Sequence, residues 1–169
     1  MLRRWRTDDL PAFFDLYSRW DVMRWLGPQP RRAVADVDEA RARLARWHQV
    51  EAGVAEPYGL WALVPSEGAG EPVGTVLLLP LHDADGPTSD VEIGWHLHPD
   101  HQGRGLVTEA ARALLNAAEH AGHHRILALT DVDNIASQAV AGRLAMADEG
   151  LTDRWFGITT RQFAWSRPG

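Results

Sequence analysis

The residues with the clearest chemical potential form a short glycine-containing loop in front of a helix. Gln102, Gly103, Arg104 and Gly105 follow a strand-like segment, and an apolar-faced helix begins at Leu106. The first-turn N–H groups of a helix have no intrahelical partner, and the helix dipole adds partial positive charge there. Glycines let a bulky anion approach these donors, and Arg104 supplies a cation. The pattern predicts a phosphate or pyrophosphate site and is equally consistent with a simple tight turn.

Two common phosphate-binding motifs do not account for this loop. The sequence GxxxxGK[ST] of a P-loop is absent, and Thr108 stands where the dinucleotide fingerprint requires its third glycine. A nucleotide-binding protein of another fold stays open as an alternative.

Six of the eight histidines fall into two groups that are close in sequence. One group is His96, His98 and His101, and the other is His120, His123 and His124. Neither has the acidic or cysteine spacing of a metal site, and the second falls at a predicted helix C-terminus, where positive charge is favourable. We therefore expect no metal, and we expect His96 or His98 to line a pocket or to act as an alternative base.

A strand and a helix must position the glycine loop. Val91, Ile93, Trp95 and Leu97 alternate with polar or small residues, which predicts a strand with one buried face. The following helix is predicted to bury Leu106, Ala110, Leu114, Ala117 and Ala121.

The remaining pattern predicts a mixed order of strands and helices. Strands are expected at 2–6, 59–65, 73–81, 91–97, 125–130, 152–156 and 159–165, and helices at 8–26, 36–50, 106–121 and 135–144. Pro28 is expected to end the first helix, 66–72 to form a glycine-rich turn and 82–90 an exposed loop. Glu39 and Arg43 are expected to pair on an exposed face, and Ile135, Ala139 and Leu144 to form a buried line. This order predicts an α+β fold in one domain, residues 1–169.

Composition narrows the class of protein. A chain of 169 residues that is 45% hydrophobic is expected to bury a proper core, with no apolar run long enough to span a membrane and no secretory signal at its N-terminus. The absence of cysteine excludes thiolate chemistry and fits a cytoplasmic location. A net charge of -6 argues against nucleic acid and anionic membranes as partners. All 17 basic residues are arginine, which excludes Schiff-base catalysis by lysine.

These residues resemble a known family. Gln102 to Val107 is similar to the motif [QR]xxGx[GA] of the GNAT superfamily of acyl-CoA-dependent N-acetyltransferases, matching at Gln102 and Gly105, with Val107 at a usually small position. Asn134 and Ser137 match the family's Asn-x-x-Ser element. The resemblance extends from Leu2 to about Trp165 and is strongest to the branch like the ribosomal-protein-alanine N-acetyltransferases (Rim type).

The resemblance implies a fold and a co-substrate. The expected fold is a mostly antiparallel, V-shaped sheet of six to seven strands with about four flanking helices, split between the strand that ends near His98 and the strand at 125–130. Acetyl-CoA would be the acyl donor, with no metal. Its pantetheine arm would bond the backbone of Leu97 and His98. Its pyrophosphate would lie on the loop that starts at Gln102, on the N–H groups of Gly103, Arg104, Gly105, Leu106 and Val107.

The resemblance also assigns chemical roles. Glu92 would act as the base that deprotonates the acceptor amine, directly or through water, although a solvated or ion-paired strand residue fits equally. Ser137 would hydrogen-bond the cofactor sulfur and Asn134 the pantetheine, with helix capping as the alternative for both. Many relatives carry a tyrosine acid seven residues after the asparagine, and this chain has Ala141 there.

The implied activity is direct acetyl transfer to a primary amine, either a protein N-terminus or a small molecule. Trp20, Trp25, Trp155 and Phe156 are expected either to line the acceptor site or to belong to the core. A homodimer is left open. A non-catalytic acyl-CoA-binding or regulatory module on the same fold is the alternative function, since a fold does not fix an activity.

Overall fold

The computed structural model describes residues 1–27, 29–66 and 70–167. Within these residues, one seven-stranded sheet has the order β1-β2-β3-β4-β5-β7-β6. Its strands are β1 (Leu2–Arg4), β2 (Gly59–Leu63), β3 (Gly74–Asp83), β4 (Gly86–Leu97), β5 (Arg125–Thr130), β6 (Ala147–Thr152) and β7 (Thr160–Ser166). Neighbouring strands are antiparallel except β4 and β5, which are parallel.

Helices cover both faces of the sheet. They are α1 (Leu10–Tyr17), α2 (Trp20–Met23), α3 (Val37–Ala52), α4 (Leu106–His120) and α5 (Ile135–Arg143), with 3-10 turns at Thr7–Asp9 and Pro99–His101. One apolar cluster joins α4 and α5 to one face, and another packs α1, α2 and α3 on the opposite face. The mostly antiparallel α+β architecture predicted from the sequence is confirmed. In the described residues, no helix has the length and apolarity needed to span a membrane.

The alternation of β4 determines which side chains reach the centre of the molecule. Val91 and Ile93 are buried in the cluster that contains α4. Because successive strand residues point to opposite faces, Glu92, Gly94 and His96 face the side covered by α1. The strand therefore places its polar side chains together on one face.

The sheet separates between β4 and β5. In the described part of the chain, these strands share one register pair, Glu92 with Leu127. Beyond that pair, β4 continues to Leu97 and β5 to Thr130 without pairing to each other. The two strands therefore leave an opening at their carboxyl ends, which agrees with the expected split.

Three predicted segments were wrong. The helix predicted at 8–26 is divided into a 3-10 turn and the separate helices α1 and α2. Residues 82–90 are not an open loop, because β3 runs to Asp83 and β4 starts at Gly86, which makes a long hairpin. Polar composition misled the prediction, since this end of the hairpin is largely exposed. The strand predicted at 152–156 instead lies at Ala147–Thr152, at the edge of the sheet. This strand lacks an apolar alternation because its residues are largely exposed, and one of them, Asp148, pairs with Arg161.

Several predicted helix faces also need correction. In α4, Ala117 and Ala121 are exposed, whereas Val107, Ala111, Leu115 and Ala118 are buried with Ala110 and Leu114. In α5, Ile135 and Ala139 are exposed, and Val140 and Ala141 join Leu144 in the core. In both helices, the buried stripe lies about one residue away from the predicted positions. Pro28 and part of the turn predicted at 66–72 lie outside the described residues.

The predicted pair between Glu39 and Arg43 is also absent among the described contacts. The carboxylate of Glu39 bonds Arg32 at 2.7 Å and the backbone N–H of Ala35 at 2.9 Å. Arg43 instead turns inward and lines the central cavity. Helical spacing alone could not reveal this competing partner.

Candidate active site

A cavity of about 490 Å³ opens where β4 and β5 separate. Its walls come from β4, the end of β5, the start of α5, the first helices and the segment before β7. The lining includes Tyr17, Trp25, Arg31, Arg43, Trp47, Glu92, Trp95, His96, Thr130, Asp131, Asn134, Ser137, Phe156 and Ile158. The three residues given chemical roles through the resemblance, Glu92, Asn134 and Ser137, thus border one cavity.

Glu92 is the carboxylic acid on the β4 wall of this cavity. The residue is partly buried, and loss of hydration raises its pKa to about 8. A group with a pKa close to neutral pH can both accept and release a proton under ordinary conditions. Its position and its pKa therefore suit a general base.

Asn134 and Ser137 are arranged by the start of α5. The side-chain oxygen of Asn134 accepts from the Ser137 backbone N–H at 3.1 Å, which caps the helix. The Ser137 hydroxyl accepts a 3.0 Å hydrogen bond from the indole Nε1 of Trp95. Because that bond uses an oxygen lone pair, the hydroxyl proton stays available as a donor. Sequence reasoning assigned Trp95 only to the strand and missed this contact.

The loop before α4 has the backbone geometry of an anion site. Gly103 and Gly105 have positive φ angles of 74° and 73°. A Cβ atom built on either glycine would meet no protein atom within 4 Å, so the space beside both is open. In the described structure, the backbone N–H groups from Gly103 to Val107 have no intramolecular acceptor. These donors can therefore serve a bound anion.

Val107 does not obstruct the loop. Its side chain is buried in the cluster beneath α4, with 5% of the residue exposed. The larger side chain at this usually small motif position therefore points into the core and leaves the first turn accessible. Arg104 is exposed, and its guanidinium lies 3.4 Å from Nδ1 of His101 at the rim.

The free edge of β4 is formed by Leu97 rather than His98. The His98 N–H donates to the carbonyl of Val73 at 2.8 Å, and the His98 carbonyl accepts from His101 at 3.0 Å. Backbone groups of successive strand residues point to opposite edges, so those of Leu97 face the split. Since the His98 groups are already engaged inside the protein, the structure does not support the expected backbone contact from His98.

A hydrogen-bonded group lies on the α1 side of the cavity. The Tyr17 hydroxyl is 2.7 Å from Oγ1 of Thr75 and 3.0 Å from Nδ1 of His96. Burial raises the pKa of Tyr17 and lowers that of His96 to about 4, with a smaller contribution from Arg43 to the His96 shift. His96 is therefore a neutral ring at pH 7, and its Nδ1 is held by the phenol. The sequence indicated His96 as a pocket residue but gave no signal for its link to Tyr17.

Two arginines contribute charge to the cavity in different ways. Arg31 forms a 2.6 Å ion pair with Asp131 at the end of β5 and also bonds the carbonyl of Arg24 at 2.7 Å. Arg43 has no carboxylate at ion-pairing distance within the described chain. Sequence patterns assigned no role to Arg31 and placed Arg43 on an exposed face, so neither was predicted to line the cavity.

The aromatic candidates divide into two groups. Trp25 and Phe156 line the cavity, and Phe156 is 55% exposed at a positive φ of 59°. Trp155 is fully buried in the core, and Trp20 is 53% exposed and does not line the cavity. Two of the four aromatic residues that the sequence offered for an acceptor site therefore line the cavity.

The histidines are dispersed among different environments. His98 is buried near Asp15, with its Nε2 atom 3.1 Å from a carboxylate oxygen of that residue. His96 bonds Tyr17, and His120 bonds the carbonyl of Asn116 at 2.6 Å. Within the described ranges, no group of three or more His, Cys, Asp or Glu side chains could hold a metal ion.

Comparisons with known proteins identify the class of protein. The sequence model of a protein family, the acetyltransferase (GNAT) domain, matches residues 1–147 of this chain. Over 61 residues the chain is 38% identical to the uncharacterized N-acetyltransferase YnaD of Bacillus subtilis strain 168, and this match spans 36% of each protein.

Solved structures agree on the fold. An acetyltransferase (GNAT family) from Bacillus anthracis aligns with a TM-score of 0.75 and 21% identity over 98% of this chain and 93% of that chain. RimL, a ribosomal L7/L12 alpha-N-protein acetyltransferase in complex with coenzyme A, aligns with a TM-score of 0.75 and 22% identity over 98% and 92% of the two chains. The fold and the family match define an acetyltransferase (GNAT) domain. The chain belongs to the GNAT family.

Proposed function

We propose that this protein transfers the acetyl group of acetyl-CoA directly to the nitrogen of a primary amine. The observation that carries the proposal is the shared cavity of Glu92 and Ser137 at the point where β4 and β5 separate. A base and a hydroxyl donor on opposite walls can serve the two proton transfers that amide formation from a thioester requires.

The glycine loop and the free edge of β4 fit the acyl donor. The diphosphate is assigned to the N–H groups from Gly103 to Val107, with Gln102 and Arg104 at the loop. The pantetheine arm is assigned to the backbone of Leu97 and to Asn134. Thr130 supports this placement, because its buried Oγ1 lines the cavity and has no hydrogen-bond partner in the described residues.

The proposed chemistry balances without a covalent enzyme intermediate. The thioester supplies an activated acetyl group. Glu92 removes one proton from the acceptor ammonium, and the nitrogen lone pair then attacks the thioester carbonyl to form the C–N bond. As the C–S bond breaks, its electron pair leaves with the sulfur. The second proton lost by the nitrogen passes to the sulfur through the Ser137 hydroxyl, which gives the neutral amide and the free thiol. The absence of cysteine from the chain fits direct transfer.

The setting proposed for this reaction is the cytoplasm. A chain without cysteine suits a reducing compartment, and the net charge of -6 disfavours nucleic acid as a partner. A homodimer is the proposed oligomeric form, and sedimentation of the purified protein tests it.

Turnover with a panel of amines tests the function. Purified protein is incubated with acetyl-CoA and peptide N-termini, amino acids or simple amines, and free thiol and acetylated product are measured together. The proposal requires that free thiol is released only when an amine is present. The amount of thiol released must equal the amount of acetylated amine formed. Saturable CoA binding with no acetylated product from any amine would instead identify a non-catalytic acyl-CoA-binding module.

A further inference from the structure

Arg43 lies on α3 with its side chain partly buried against the central cavity. Its Nη1 atom is 3.5 Å from the sulfur of Met23, and its guanidinium carbon is 5.9 Å from the centre of the Tyr17 ring. Both contacts are weak for a charged group. Burial lowers the pKa of Arg43, since water that would stabilise the cation is removed.

The carboxylates around Arg43 are committed elsewhere or are neutral. The negative charge of Glu39, one turn earlier on α3, opposes this effect and raises the pKa of Arg43, but the Glu39 carboxylate itself bonds Arg32. Asp131 pairs with Arg31. Glu92 also lines the cavity but forms no ion pair with Arg43, and its pKa of about 8 leaves it mostly neutral at pH 7, with the ionised form available as the base. Among the described residues, Arg43 is therefore a guanidinium in the cavity without a carboxylate partner. A partly buried cation of this kind is a strong binding element for an anion.

His96 adds a second polar group to the same wall. Its Nδ1 is engaged by the Tyr17 hydroxyl at 3.0 Å, which leaves Nε2 as the ring nitrogen that can contact a ligand. When Tyr17 donates to Nδ1, the neutral ring carries its proton on Nε2 and is a hydrogen-bond donor. Arg43 and His96 can then both donate to one carboxylate.

The distance between this wall and the base decides how an acceptor amine can reach Glu92. Glu92 and His96 are four residues apart on the same face of β4, which corresponds to about 13 Å along the strand. A free amino acid is shorter than this separation. With its carboxylate at Arg43 and His96, its amine therefore transfers its proton to Glu92 through bound water.

Apolar side chains also line the cavity. Trp25, Trp47, Phe156 and Ile158 line the cavity around the polar groups. Aromatic walls suit an apolar or aromatic body on the acceptor.

From this arrangement we propose that the acceptor is a primary amine that also carries a carboxylate and an apolar body, the chemical class of apolar and aromatic amino acids. Arg43, assisted by His96, binds the carboxylate while the amine faces Glu92. This inference rests on the proposed acetyltransferase function and distinguishes a free amino acid from a protein N-terminus, which has a neutral amide in place of the carboxylate.

Matched acceptors test the inference. Acetylation of leucine and phenylalanine is compared with that of leucinamide and phenylalaninamide, which keep the amine and the body but lack the negative charge. We expect higher kcat/KM for the acids. Arg43→Gln should lower kcat/KM for the acids about 10- to 100-fold, as expected for loss of charge-assisted hydrogen bonds, and change the amides about threefold at most.

Arg46→Gln is the control, because it removes one positive charge from the exposed side of the same helix. It should leave the acid-to-amide ratio unchanged, and Arg43→Lys should restore part of it. Equal kcat/KM for acids and amides in the wild type, or an equal loss for both in Arg43→Gln, would overturn the inference and leave the acetyltransferase function intact. Absence of turnover with every amine would overturn both.

Inhibition gives a measurement that needs no variant. The product analogues N-acetylphenylalanine and N-acetylphenylalaninamide are compared as competitive inhibitors against the best acceptor amine. Stronger inhibition by the acid, by about tenfold or more, supports the carboxylate site, and equal inhibition removes it.

Discussion

The indole Nε1 of Trp95 donates a 3.0 Å hydrogen bond to the Ser137 hydroxyl. Trp95 belongs to β4, and Ser137 belongs to the helix that follows β5, so this bond crosses the opening in the sheet. It holds one lone pair of the serine oxygen and leaves the hydroxyl hydrogen free. A side chain that packs partly in the core thus orients a group in the cavity.

Replacing Trp95 by phenylalanine should slow the chemical step without preventing binding. The ring is kept, but the donor to Ser137 is lost, and a net hydrogen-bond contribution of about 1 kcal/mol corresponds to about a fivefold decrease in kcat. The KM for acetyl-CoA should change little. Steady-state kinetics of Trp95→Phe, Ser137→Ala and the double variant measure this dependence.

The double variant separates orientation of Ser137 from simple packing. If Trp95 acts through Ser137, Trp95→Phe should have no further effect on kcat in the Ser137→Ala background. Trp61→Phe is the control, because the Trp61 indole bonds the carbonyl of Pro57 at 3.1 Å outside this pair. An equal loss from Trp95→Phe in both backgrounds would contradict the positioning role.

Glu92 should determine the pH dependence of the reaction. Because burial raises its pKa to about 8, kcat/KM of the wild type should increase with pH up to that region, as the carboxylate forms. Glu92→Gln should remove this dependence and lower the rate about 100-fold or more. The profile is measured with a weakly basic amine that is already neutral above pH 6, so that titration of the acceptor does not contribute. An unchanged profile in Glu92→Gln would exclude Glu92 as the base.

The same carboxyl should make the wild type less stable than Glu92→Gln at high pH. The pKa of Glu92 in the folded state, about 8, lies above its ordinary value of 4.5, so between these pH values the folded state holds a proton that the unfolded state has lost. The free energy of unfolding therefore falls as pH rises between these values. Allowing for the partial exposure of Glu92, we expect Glu92→Gln to be more stable at pH 8 by on the order of 2 kcal/mol.

Thermal unfolding at a series of pH values measures this difference. The gap in Tm between Glu92→Gln and the wild type should be small near pH 4.5 and should widen toward pH 8. Glu109, on the exposed side of α4, provides the control variant Glu109→Gln, whose gap should stay constant. A constant gap for Glu92→Gln as well would show that Glu92 is hydrated in the folded protein.

Gly105→Glu should abolish CoA binding. Gly105 has a φ of 73° and open space beside it, so a glutamate would place both bulk and negative charge where the diphosphate is assigned. We expect a loss of affinity of about 100-fold or more, measured by calorimetry with CoA. Gly122→Glu is matched, because Gly122 also has positive φ and open space but follows the opposite end of α4. Equal weakening in both variants would point to helix strain instead of a lost anion site.

Local sequence patterns predicted the parts of the molecule that depend on neighbouring residues. The alternation before Pro99, the glycines at 103 and 105, and the capping residue Asn134 each have a structural cause within a few positions. They were therefore sufficient to predict β4, the loop with α4, and the start of α5. The resemblance to the GNAT superfamily pointed to Glu92 and Ser137, and these elements position both side chains in the cavity.

Features that depend on distant partners could not be predicted in this way. His98 is engaged by Val73 through the register of β3 with β4, and Tyr17 meets His96 across 79 positions of sequence. Arg43 had an apparent partner at helical spacing, but Arg32 competes for that carboxylate from the preceding loop. The edge strand β6 is stabilised by charge pairs on exposed residues, which leave no apolar period to detect.

In the described residues, β4 and β5 share one register pair, Glu92 with Leu127, so the two halves of the sheet are joined at the proposed base. Displacement in a rotation grows with distance from the pivot, and Leu97 lies about 16 Å further along β4. A small change in the angle between the two halves therefore widens the gap at Leu97 while the Glu92 backbone stays nearly still.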